Sequence, residues 1–183
     1  MSKLRLPVTD VDHKTGNAKA KIILVEYGDY QCLHCGIAHP LTKKLLKQFG
    51  HDLLFIFRNF PLQEMHPQAM ISAQAAEAAD KQSKFWEMHD TIFENQDILS
   101  ANNLLNFAKK LNLDLETFSK DWKSKAVLSK VESDFDGGIR SGVNGTPTFF
   151  INGNRLETYD ESYESLARAV HNLVGPSVNE QKI

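Results

Sequence analysis

Cys32 and Cys35 bracket Leu33 and His34 in the tetrapeptide CLHC, and they are the only cysteines among 183 residues. Two thiols at this spacing exchange disulfides, share a metal, or merely lie close together. The run KIILVEY before them reads as a buried strand, and GIAHPLTKKLLKQFG after them as a helix. Cys32 therefore falls where unpaired helix N–H groups meet the positive end of the helix dipole. Thiolate is favoured there. A free thiol titrates near about 8.5, and a helix N-terminus, a nearby cation or this motif lowers that to roughly 3.5–7.5. Such a pKa makes Cys32 a nucleophile at neutral pH, and Cys35 is near enough to close on any mixed disulfide that Cys32 forms. His34 adds a donor or a positive charge beside the sulfurs.

A structural zinc would draw on Cys32, Cys35 and either His34 or His39. Such sites want four ligands, usually with a second paired set elsewhere, and the chain has no second cysteine pair. His39, one turn beyond Cys35, reads as a partly exposed helix residue, and no metal is expected. An inert pair of buried thiols is the other alternative. Thr146-Pro147 stands directly before a further strand. An X–Pro bond is cis in only about 5–6% of cases, so the dipeptide pattern alone favours trans.

Composition narrows the partners. Apolar residues make up 42% and charged residues 24%, as in an ordinary soluble globular protein, and the length suits one domain with an insertion. A formal net charge of −2 gives no basic field for nucleic acid or anionic lipid. The first twenty residues lack the apolar core of a signal peptide, and no stretch approaches the roughly 18 apolar residues of a membrane span. The chain as it stands reads as cytoplasmic, or as periplasmic if it is a mature form trimmed of its leader. Any intramolecular disulfide must join Cys32 to Cys35.

Around the motif, residues 21–27 and 53–58 are buried strands separated by a helix over 33–49, kinked at Pro40 and stopped at Gly50. That order suggests a parallel βαβ unit. From His66 to Arg140 only helical periodicity is found. Ala69, Ala73, Ala76 and Ala79 mark one helix, and Phe85, Met88, His89 and Ile92 a second. Ser100 and Asp114 cap two more, and Leu128, Val131, Phe135 and Ile139 line a last one. TPTFFINGNRLE (146–157) reads as a hairpin turning at Asn152-Gly153. Asp160 then caps a helix through Leu166, Val170 and Leu173 that stops at Gly175-Pro176, before a tail of disordered character.

VEYGDYQCLHC, FRNFPL, KFWEMHD and SGVNGTPTFFING together resemble the DsbA-like branch of the thioredoxin superfamily, over about residues 8–174. The resemblance implies an α/β thioredoxin fold with a central mixed sheet, interrupted by an α-helical insertion. Residues 1–62 and 142–176 would form its two parts, 63–141 the insertion and 177–183 a tail. It makes Cys32 the exposed nucleophile, Cys35 the buried resolving thiol, and Leu33-His34 the pair that tunes the potential. Pro147 matches a cis-proline facing the thiols, and Thr146 offers backbone groups to a bound peptide strand. Glu26 matches an acidic residue beneath the site that relays a proton to or from Cys35, the alternative being a strand-end carboxylate in solvent. Leu33 departs from the proline common at its position, which removes a fixed φ at the helix entry.

The implied activity is thiol–disulfide exchange without a bound cofactor. Its partners would be cysteine-containing proteins or peptides, glutathione and a redox partner protein. His34 resembles oxidising members, whereas cytoplasmic partners would run the same chemistry as a reductase. Two other readings of the scaffold are a redox-inert peptide-binding module and a kappa-type glutathione-dependent transferase or isomerase. The latter relies on a single nucleophile, and Cys35 argues against it.

Overall fold

The computed structural model describes residues 2–174. The expected helix stop at Gly175-Pro176 and the tail lie outside the described residues. The strands are β1 (His13–Gly16), β2 (Ile22–Gly28), β3 (Leu53–Asn59), β4 (Thr148–Ile151) and β5 (Asn154–Arg155), hydrogen-bonded in the order β1-β3-β2-β4-β5. β2 and β3 run parallel, joined through helix α1 (Leu33–Phe49), and the other pairings are antiparallel. The expected βαβ unit and mixed sheet are present.

Alternation along the strands divides the core between the two faces of the sheet. Ile22, Leu24, Leu53, Phe55, Phe57 and Phe149 join one cluster; Val25, Tyr27, Leu54, Ile56 and Phe150 join the other. Every residue of β3 is buried, as expected for a strand covered on both sides. The hairpin turns through Asn152 and Gly153 at φ of 46° and 79°, the left-handed pair that a two-residue turn requires. Asn152 also pins the turn to β2, its Oδ1 accepting from the Ile23 N–H at 2.8 Å.

Between β3 and β4 the chain forms α2 (Ala69–Asp80), α3 (Phe85–Phe93), a 3-10 turn at Gln96–Ile98, α4 (Ala101–Lys110), α5 (Leu115–Trp122) and α6 (Lys125–Arg140). Helix α7 (Tyr163–Val174) packs on α1. Ser100 and Asp114 are N-caps as expected, each accepting from the backbone N–H three residues on. A buried polar cluster ties the helical segment to the end of the sheet. Glu77 on α2 meets His13 at 2.9 Å and Asn59 at 2.7 Å, and Asp134 on α6 accepts from the Asn59 backbone and side chain at 3.1 Å.

Some local expectations need correction. Ile139 and Leu173 are about half exposed: α6 buries Val127, Val131, Asp134, Gly137 and Gly138 instead, and α7 buries Ser165, Leu166 and Val170. The two glycines let α6 approach the sheet: a Cβ on Gly138 would stand 2.6 Å from the Phe60 ring, and one on Gly137 2.7 Å from Leu6. Ser162, not Asp160, caps α7, accepting from the Ser165 N–H, while Asp160 holds Ser162 in place. Helix α1 contains Pro40 without a break, the proline lying on the exposed face.

β1 was not legible as a strand, since HKTG carries no apolar alternation. The Arg58 guanidinium explains its position. Arg58 is buried on β3 and holds both carboxylate oxygens of Asp12, at 2.7 and 3.1 Å, the carbonyls of Leu6 and Pro7, and the Tyr27 hydroxyl. Each donor is used, which lets a charge be buried and lashes the N-terminal segment to the sheet edge.

Candidate active site

The loop from Asp29 to Gln31 delivers the chain from β2 into α1. Asp29 is fully enclosed; its Oδ1 accepts from the Gln31 N–H at 2.7 Å, and its Oδ2 from the Leu62 N–H and His66 Nδ1 at 2.8 Å. Its own carbonyl accepts from the Cys32 N–H. The turn is thus built on one carboxylate before the helix begins. Cys32 is the N-cap of α1, and Cys35, Ala38, His39, Thr42 and Leu45 repeat along the buried face at helical spacing.

Both cysteines are free thiols, and their surroundings differ. Cys32 donates its S–H to the Thr146 carbonyl at 3.3 Å, and Cys35 accepts from the Asp29 N–H at 3.4 Å. The Cys32 thiol is held down to about 5, first by the hydrogen bond from Cys35, against the opposing cost of burial. Thr146 and the backbone N–H groups of Cys35 and His34 lower it further. The dithiol shows no formal cap hydrogen bond at Cys32, and ionisation turns its sulfur into the acceptor these first-turn groups lack. Burial pushes the Cys35 thiol well above its ordinary value, and the Cys32 and Glu26 charges add to that.

Cys32 is not the exposed thiol expected. The residue is only 5% exposed against 0% for Cys35, while Leu33 beside it is 71% exposed. The loop carrying Thr146 lies across the sulfur, and the Gln96 amide covers the backbone, donating to the Tyr30 and Cys32 carbonyls at 2.8 and 3.0 Å. Gly36 makes room for this amide: a Cβ there would stand 2.0 Å from Gln96 Oε1. His34 does not turn towards the sulfurs. Its Nδ1 pairs with Glu161 at 2.8 Å, both side chains being largely exposed, and its backbone N–H is what reaches Cys32.

The Thr146–Pro147 bond is cis, and the Thr146 carbonyl faces Cys32. Glu26 is buried, 2% exposed, on the face of β2 that carries Ile22 and Leu24. Burial first, and the Cys32 charge second, push its carboxyl up to about 8. The solvated strand-end alternative for Glu26 is therefore ruled out. Tyr159, which sequence reasoning missed, packs edge-on against Phe149 and has a buried hydroxyl with no partner among the described residues. Burial, and after it the Glu26 charge, raise that hydroxyl. Asp29, Gln96 and Tyr159 carried no sequence signal, because each acts through a contact made only in three dimensions.

The family described as Thioredoxin matches residues 9–172. The chain belongs to this family. BdbD from Bacillus subtilis superposes with a TM-score of 0.80 at 24% identity, over 92% of this chain and 96% of that one. Alpha-DsbA1 from Wolbachia pipientis superposes with a TM-score of 0.76 at 25% identity, over 94% of both chains. The fold is thus the DsbA-like elaboration of the thioredoxin fold. Among curated relatives, a Na(+)/H(+) antiporter NhaA 1 of Salinispora arenicola is 41% identical over 170 residues, and a Na(+)/H(+) antiporter NhaA of Herminiimonas arsenicoxydans 40% identical over 152. These matches take in 91% and 82% of this chain but only 26% and 24% of the relatives. The chain spans about a quarter of the curated relatives it matches, and among the described residues no helix is long and apolar enough to cross a membrane.

Proposed function

We propose that the chain is a thiol–disulfide oxidoreductase that cycles Cys32 and Cys35 between dithiol and disulfide and acts on cysteine-containing proteins or peptides. The observation that carries this reading is the opposite tuning of two adjacent thiols, Cys32 lowered to about 5 and Cys35 raised. An inert pair has no use for such asymmetry.

In the oxidising direction a substrate thiolate attacks Cys32 Sγ of the disulfide, forming a mixed disulfide and expelling Cys35 as a thiolate. Cys35 is a poor anion in its dry site and takes a proton, for which Glu26, protonated near neutral pH, is the donor. A second substrate thiolate then attacks the substrate sulfur, and Cys32 leaves as the stabilised thiolate. The substrate leaves with a disulfide and the protein as a dithiol. Pro147 and Thr146 would line the bound peptide strand beside Cys32. The groups that lower Cys32 act only in the dithiol, since a disulfide has no charge to stabilise, and so the disulfide is comparatively oxidising.

The test is equilibration with glutathione buffers together with trapping. Cys32→Ser abolishes exchange, and Cys35→Ser accumulates mixed disulfides through Cys32. A protein that leaves disulfide substrates and glutathione unchanged would be the inert peptide-binding module instead.

A further inference from the structure

One turn beyond Cys35, His39 meets chemistry that thiol exchange does not use. It is not the partly exposed residue expected from sequence. His39 is 6% exposed, and its Nε2 is buried with no hydrogen-bond partner among the described residues. An orphaned buried imidazole nitrogen is costly unless something fills its place. The ring stacks on Phe93 and stands edge-on to His89 with centroids 5.3 Å apart, at a cleft of about 240 Å³ that also includes Lys43 and Asp90. One potential ligand atom from each of His39, His89 and Asp90 lies within 4.8 Å of the other two.

We propose that His39, His89 and Asp90 bind a divalent transition-metal ion of the zinc class, with water completing its shell. His39 Nε2 and Asp90 Oδ1 are 3.5 Å apart, too long and unsuited for a hydrogen bond. Two ligands held at about 2.0–2.1 Å in a tetrahedron stand roughly 3.4 Å from one another, so this pair already has the spacing of a tetrahedral edge. The outer contacts are also in place. The Tyr30 hydroxyl meets His89 Nδ1 at 2.9 Å, which leaves Nε2 as that ring's ligand, and Lys43 holds the other oxygen of Asp90, Oδ2, at 2.7 Å. Lys43 is half exposed and shared with Glu94, so its charge is partly neutralised beside the ion. Two imidazoles and one carboxylate select zinc-class ions over calcium or magnesium, which prefer all-oxygen shells. This departs from the expectation of no metal. Along the sequence His39 has the cysteines as neighbouring ligands, whereas its partners here lie some fifty residues away on α3. A bound ion would join α1, which carries Cys35, to the helical segment.

The test uses the 183-residue chain, chelator-stripped and carrying Cys32→Ser and Cys35→Ser, so that the thiols cannot be ligands. Zn2+ is titrated against a chromophoric chelator, and Co2+ serves as the spectroscopic probe. One ion per chain is expected, with a Co2+ visible band of nitrogen and oxygen ligation, no thiolate charge transfer, and a melting temperature raised by Zn2+. Adding Asp90→Asn, which keeps the side-chain shape at a partly exposed position, should weaken binding by at least about tenfold and remove the thermal shift. His171→Ala, on the exposed face of α7, should change neither. Absence of binding, binding that survives Asp90→Asn unchanged, or binding present in the wild type and lost once the cysteines are replaced would each overturn the site.

Discussion

Glu26→Gln should make the dithiol protein more stable while impairing its exchange chemistry. The carboxyl is enclosed beneath the thiols and titrates near 8 when folded, against 4.5 ordinarily. A raised carboxyl pKa means that the folded protein binds the proton more tightly than the unfolded chain, so stability is full below 4.5 and is lost as pH rises through 8. At pH 7 the unfolded carboxyl has ionised across about 2.5 units that the folded one has not, which at roughly 1.4 kcal/mol per unit is about 3 kcal/mol. An uncharged amide of the same shape escapes this cost. Urea unfolding under reducing conditions should therefore show Glu26→Gln about 2–4 kcal/mol more stable than wild type at pH 7, with the two converging near pH 4. Thiol exchange should slow by up to about 10²-fold, chiefly where Cys35 changes protonation. Equal stabilities at pH 7, or the same difference at pH 4 and pH 7, would refute the placement of a buried, proton-retaining carboxyl under the thiols.

The Cys32 thiol is depressed from 9.0 to about 5 in the folded chain, and a Glu26→Gln background removes the overlapping carboxyl titration so that the thiol is read alone. Its stabilisation of the dithiol is full above 9.0 and disappears as pH falls to about 5, amounting to about 2–3 kcal/mol at pH 7; urea unfolding with and without Cys32→Ser reads it out. Gly36→Ala should drive the movable Gln96 amide off the Tyr30 and Cys32 carbonyls, costing about 0.5–2 kcal/mol net of better helix propensity. A double-mutant cycle with Gln96→Ala should show that the two losses are not additive. Asp12→Ala strands the buried Arg58 guanidinium and should cost about 3–5 kcal/mol in denaturant unfolding.

Much of the site was legible before any fold was known. A strand, two cysteines at helix-entry spacing and a helix suffice to place one sulfur at the N-terminus of α1, because backbone polarity there depends on local sequence alone. The Asn152-Gly153 turn and the Ser100 and Asp114 caps were readable for the same reason. Exposure was not legible. Cys32 is covered by Thr146 from 114 residues away, and His34 is drawn off by Glu161, so neither the accessibility of the thiol nor the partner of the imidazole is written in the tetrapeptide.

Sequence by itself determined the alternation that buries both faces of β2 and β3, the helical segment between the strands, and the presence of two thiols at a helix entry, since these follow from side-chain periodicity and functional groups. Tertiary structure alone decided how those atoms are tuned. Glu26 is raised because the sheet and helices enclose it beside Cys32, Cys35 differs from Cys32 because one sulfur faces the dry core and the other the helix terminus, and the segment before β1 is tied to β3 by the contact of Arg58 with Asp12. Desolvation and Coulomb interactions depend on distances through space, and a linear sequence does not contain those distances until the chain has folded.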